Sequence, residues 1–114
     1  MRIQVKGRNG ATVDEELLSR LEKKLEKVGR QISPVAVVDV QLTEERNAPA
    51  PQSQVAEATL QLKGTTLRAR ESSADMGRSI NLMVEDLARQ VKKHRDKRRG
   101  RREAQKAGQQ PNAA

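Results

Sequence analysis

Residues 35–71, VAVVDVQLTEERNAPAPQSQVAEATLQLKGTTLRARE, decide the fold. Over 35–42, Ala36, Val38, Val40 and Leu42 fall on one face while Asp39 and Gln41 share the other, the two-residue period of a half-buried strand. Residues 55–62 repeat the pattern, with Ala56, Ala58, Leu60 and Leu62 inward. Lys63-Gly64 then forms a tight turn into 65–71, where Leu67 and Ala69 point in. Between the first two runs, EERNAPAPQSQ (44–54) collects charge, Asn47, Pro49 and Pro51, which predicts a long exposed hairpin loop outside any ladder. Each run is polar on its second face, so the sheet is antiparallel here and covered on one side only.

Working outward, RIQVK (2–6) alternates with Ile3 and Val5 on one face, and GRNG ends it. Thr12 stands three residues before Glu15, the spacing of a capping box. Leu17, Leu21, Leu25, Val28 and Ile32 then share a narrow helical arc, with Leu18 at its edge. Gly29 is placed to stop this helix, and Ser33-Pro34 breaks the chain before the next strand. After the strands, Ser72 or Ser73 is placed to cap a second helix with Asp75 in its first turn and an apolar stripe of Met76, Ile80, Met83, Val84, Leu87 and Val91. The expected fold is α+β, in the order β-α-β-β-β-α: one four-stranded sheet with two helices packed on one face. The helical crossover lets the first two strands lie parallel. No core residue follows Val91, so the second helix leaves the body as a charged projection. The expected division is a domain over residues 1–98 and a basic, disordered tail over 99–114.

The 114 residues carry a net charge of +8, unevenly spread. Residues 1–73 hold 12 basic and 10 acidic side chains and residues 74–114 hold 11 and 5, which points the C-terminal third at a polyanion, nucleic acid above all. With no cysteine there is no disulfide or thiolate chemistry. Phe, Tyr and Trp are also absent, so the core is aliphatic and no base stacks on a Phe, Tyr or Trp ring. No leader-like or membrane-spanning apolar run occurs, and a cytoplasmic protein is expected.

The chemistry sits on the helices. QVKKHRDKRRGRR (90–102) holds eight lysines and arginines against Asp96 alone. Arg78, Arg89, Lys92 and Lys93 lie opposite the second helix's apolar stripe, interrupted by Glu85 and Asp96. In the first helix Glu15, Glu22 and Glu26 take one flank, while Arg20, Lys23, Lys24, Lys27 and Arg30 take the other and the crest. Side by side, the two basic flanks would form an electropositive seam that reads the shape and phosphates of a folded RNA. The competing explanation is ordinary solvated charge, with Glu22 and Glu26 bridging to lysines at helical spacing. The polar sheet face, with Arg2, Lys6, Arg68 and Arg70 among its residues, reads as solvated. His94 has no cysteine or carboxylate cluster beside it in sequence, and KGRNG is not a P-loop. No catalytic constellation, metal site or cofactor motif is present, so a non-enzyme is expected.

MRIQVKGRN (1–9) and SSADMGRSINLMVEDLARQVKKHRDK (72–97) resemble the ribosome hibernation promoting factor family, which includes the ribosome-associated translation inhibitor A proteins. The resemblance covers residues 1 to about 98, and its specific part is the spacing of Asp75-Met76, Ile80, Leu87, Gln90, Lys93 and His94. It implies a stress-response domain that binds the small ribosomal subunit at the messenger and transfer RNA sites and blocks translation sterically, without dimerising on its own. The rRNA contacts it implies are Arg20, Lys23, Lys24 and Lys27, then Arg78, Arg89, Lys92, Lys93, Arg95 and Lys97. Gly77 departs from the family, which usually has an aromatic residue after the Asp-Met pair. Long members carry a second domain that pairs ribosomes, for which this chain is too short. The alternatives are a general binder or chaperone of structured RNA, and a protein-interaction regulator of the sigma-factor modulator type.

Overall fold

The computed structural model describes residues 1–8, 10–11, 13–45 and 53–109, the side chains of 98, 99 and 101–109 excepted. Along the chain come β1 (Arg2–Arg8), α1 (Glu15–Gly29), β2 (Val37–Glu44), β3 (Gln54–Leu62), β4 (Thr65–Ser73) and α2 (Met76–Gln109). The four strands lie in the order β1-β2-β3-β4, with β1 parallel to β2 and the other two pairs antiparallel. The expected order, pairing directions and fold class all hold.

Register lines up the apolar rows. Ile3, Val38, Leu60 and Leu67 form one row across the sheet, and Val5, Val40, Ala58 and Ala69 the next. Both rows face the helices, which bury Leu21, Leu25 and Val28 from α1 and Ile80, Met83, Leu87 and Val91 from α2. Small sheet residues, Ala56, Ala58 and Ala69, stand opposite large helical ones, so an aromatic-free core fills without overlap. The β3–β4 hairpin closes through Lys63 and Gly64 with Leu62 paired to Thr65, and Gly64 takes the left-handed φ of +79° that the two-residue turn demands.

The helix ends differ from expectation. Asp14 caps α1: its Oδ1 accepts from the Leu17 N–H at 2.7 Å, while Thr12 lies outside the described residues. D14A is expected to cost about 1 kcal/mol in urea unfolding, as the loss of a helix cap does. Gly29 is the last residue of α1 and not a left-handed stop; a Cβ there would stand 3.2 Å from the Met1 Cε, so the glycine admits the Met1 side chain. Asp75, and neither serine, caps α2, accepting from the Arg78 N–H at 2.9 Å. Ser73 instead ends β4, buried, and its hydroxyl lies 2.7 Å from that of Ser79, which reaches the Gln54 carbonyl at 2.6 Å. This pair ties the first turn of α2 to β3 and β4.

Beyond Val91 the α2 backbone continues to Gln109, through residues expected to form a disordered tail. Arg, Lys, Glu, Gln and Ala dominate that stretch, all strong helix formers. At about 1.5 Å per residue, the 18 residues past Val91 project about 27 Å beyond the core. Residues 110–114, and most of the loop expected over 44–54, lie outside the described residues.

Candidate nucleic-acid interface

Burying Leu21, Leu25 and Val28 fixes the roll of α1 and therefore where each charged flank goes. Glu26 is turned toward β1, where it borders a hollow with Met1, Ile3 and Gly29. The opposite flank faces α2: Lys24, Lys27 and Gln31 line one wall of a groove of about 330 Å³ whose other wall is Asn81, Glu85 and Ala88. At one end Arg20 reaches the start of α2, its Nη1 3.9 Å from where a Gly77 Cβ would stand. At the other end the Arg95 Nη1 donates to the Gln31 Oε1 at 3.2 Å, tying α2 to the turn that follows α1. Glu26 is thus turned away and Lys24 and Lys27 inward to the seam, while Arg30 borders the β1-side hollow with Glu26.

The α1 cations are unpaired. Among the described residues none of Arg20, Lys23, Lys24 and Lys27 has a carboxylate within salt-bridge distance, so the competing explanation, Glu22 and Glu26 bridging to lysines, finds no ion pair. Ion pairs form at Arg95, whose Nε is 3.8 Å from Asp96, on α2 between Arg89 and Asp86, and at Arg70 with Glu45 at 2.6 Å on the open sheet face. A solvated cation without a partner keeps its full donor set for a phosphate oxygen.

The structure thus brings Lys24 and Lys27 to one groove, with Arg20 near the start of α2 and Arg95 bonded to Gln31 beyond its other end. Lys23 is exposed on α1. Lys92 is exposed one helical turn beyond Ala88 and is not among the residues that line the groove. Arg78, Arg89 and Lys93 are exposed on α2, Arg89 only 3.9 Å from Asp86. Lys97 is not brought to the seam: it sits two turns beyond Gln90, whose amide bonds the Arg68 carbonyl on the β4 side. Glu85 makes the groove less than uniformly basic. Sequence reasoning missed Asn81, whose Oδ1 is buried without a hydrogen-bond partner where it meets the groove. Its only signal was a polar amide beside the apolar stripe. A Cβ at Gly77 would stand 3.1 Å from the Asp75 Oδ2 that caps α2 and 3.9 Å from the Arg20 Nη1.

Among the described residues no group of three His, Cys, Asp or Glu side chains is placed to hold a metal ion, and no helix is long and apolar enough to cross a membrane. A four-stranded sheet with both helices on one face and unpaired α1 lysines in the groove between them defines a small α+β module with a partly basic helix seam. The chain belongs to the family described as sigma 54 modulation protein / S30EA ribosomal protein, which it matches over residues 3–99.

It is 35% identical over 103 residues to the ribosome hibernation promotion factor of Picosynechococcus sp., covering 90% of this chain and 53% of that protein. The chain therefore spans about half the length of that relative. To the ribosome hibernation promoting factor of Azotobacter vinelandii it is 28% identical over 111 residues, 97% of this chain and 98% of that one. Among solved structures it resembles the N-terminal domain of Thermus thermophilus Protein Y, with a TM-score of 0.68 at 28% identity over 82% of this chain and 99% of that one. A ribosomal subunit interface protein from Coxiella burnetii shares the fold, with a TM-score of 0.67 at 24% identity over 84% of this chain and 99% of that chain.

Proposed function

We propose that this chain is a non-enzymatic, ribosome-associated translation inhibitor of the hibernation type. It lays the α1–α2 seam on the rRNA of the small subunit where messenger and transfer RNA bind, and excludes both sterically. The observation that carries this reading is that the unpaired Lys24 and Lys27 of α1 are turned to the seam with Glu26 turned away. The hibernation factors it resembles supply the partner. A fold without Phe, Tyr or Trp reads shape and phosphate, and a structured rRNA surface offers both. Residues 1–98 form the binding unit, acting in the cytoplasm without a cofactor, and residues 99–114 act as a basic arm toward the messenger channel. The rival reading as a protein-interaction regulator draws on the sigma 54 part of the family description.

The test is co-sedimentation with purified small subunits at physiological salt, with excess duplex RNA or with initiator transfer RNA already bound. Retention against the duplex and loss against transfer RNA is the expected result. Release by the duplex would reduce the protein to a general RNA binder, and no binding in any arm would favour the regulator. In the same assay, deleting 99–114 removes four basic residues and one acidic. It should weaken binding and flatten the dependence of log K on log salt by about three. Unchanged affinity would remove the arm from the proposal.

A further inference from the structure

A second concavity, of about 300 Å³, lies where the chain leaves α1, the β3–β4 turn and α2 meet. Its rim carries Arg30, Lys63 and Arg95, with the His94 ring beside them, and no carboxylate side chain is among its lining residues. Acidic side chains line the other two hollows described, Glu85 in one and Glu26 in the other. Its floor is apolar, made of Ile32, Leu62 and Val91. Arg95 is held in place by its bond to Gln31 and by Asp96, 3.8 Å from its Nε.

Three cations around an aliphatic floor suit an anion that also has a flat, weakly polar face. We propose that this pocket binds one nucleotide, with the phosphate on Arg30, Lys63 and Arg95 and the base on the aliphatic floor against His94. Arginine supplies both a phosphate fork and a planar stacking surface, and histidine is a ring on which a base can stack. The volume sits at the lower end for small-ligand sites, which allows one nucleotide unit and excludes longer pieces. Gln31 lines both this pocket and the α1–α2 groove, so the pocket lies at the end of the seam. The nucleotide is therefore either free in solution or a residue of an RNA strand in the seam turned out into the pocket.

The site stands independently of ribosome binding and is tested on the full chain alone. Amide shifts of ¹⁵N-labelled protein are followed while 5′-AMP, 5′-GMP, 5′-UMP, inorganic phosphate and a seven-nucleotide single-stranded RNA are added in turn at constant ionic strength. Saturable shifts at Ser33, Leu62, Lys63, Val91 and His94 are expected, with a nucleotide or the RNA binding at least about tenfold tighter than phosphate. A response to mononucleotides identifies a free ligand, and a response to the RNA alone identifies a turned-out residue. K63E, at an exposed turn position, should keep the spectrum of a folded protein and weaken that binding about tenfold. Equal affinity for phosphate, shifts confined to Lys24 and Lys27, insensitivity to K63E, or no shifts at all would each overturn the proposal.

Discussion

R20E/K24E/K27E is expected to lower affinity for small ribosomal subunits about a thousandfold at physiological salt. Each cation facing a phosphate accounts for roughly one decade, and reversal converts attraction into repulsion. The slope of log K against log salt should flatten by about three as well, because three fewer counterions are released. Stability should barely change, since none of the three is buried and none is in an ion pair. The informative control is E22K/E26K on the other flank of the same helix, turned toward β1. Those substitutions should leave affinity nearly unchanged and, combined with the triple reversal, should fail to restore it. Restoration would mean that the overall field of a basic protein draws it to RNA and that the seam has no special place.

The two-residue alternation over 35–71 was enough to read three strands and their faces, because one buried face leaves a strand no freedom of register. The segregation of charge on α1 was equally visible. Its direction was not, since a flank faces a neighbour only after the roll of α1 is set by Leu21, Leu25 and Val28 and the position of α2 by Ile80, Leu87 and Val91. Helix ends were misread where short polar residues competed for one role. Asp14 and Asp75 each sit immediately before the first helical residue and accept from the third helical N–H, which Thr12 or Ser73 could equally suggest from sequence. Gly29 looked like a stop and is a contact: its reason is Met1, far away in the chain and next to it in space. The nucleotide pocket was illegible for the same cause. Arg30, Lys63 and His94 come from three separate segments, and no spacing rule joins them.

L87A is expected to cost about 3 to 4 kcal/mol, within the range for truncating a fully buried leucine. The middle of that range applies here because the surroundings close the hole only in part. No Phe, Tyr or Trp ring is present to swing in. Met83, one turn away, is the only flexible neighbour on the α2 stripe that can partly fill it. For a domain of about 100 residues, whose whole stability is about 5 to 15 kcal/mol, this is a large fraction and corresponds to a fall in Tm of about 15 °C. Circular dichroism is the readout, since the chain has no tryptophan to follow. A cost below about 1 kcal/mol would mean that α2 is not seated on the sheet through Leu87. The consequence for function separates this variant from the charge reversals. α2 carries its core stripe and its cations on one rigid element, so L87A should bind normally in the cold and lose binding on warming together with its ellipticity, whereas R20E/K24E/K27E should bind poorly at every temperature while remaining folded.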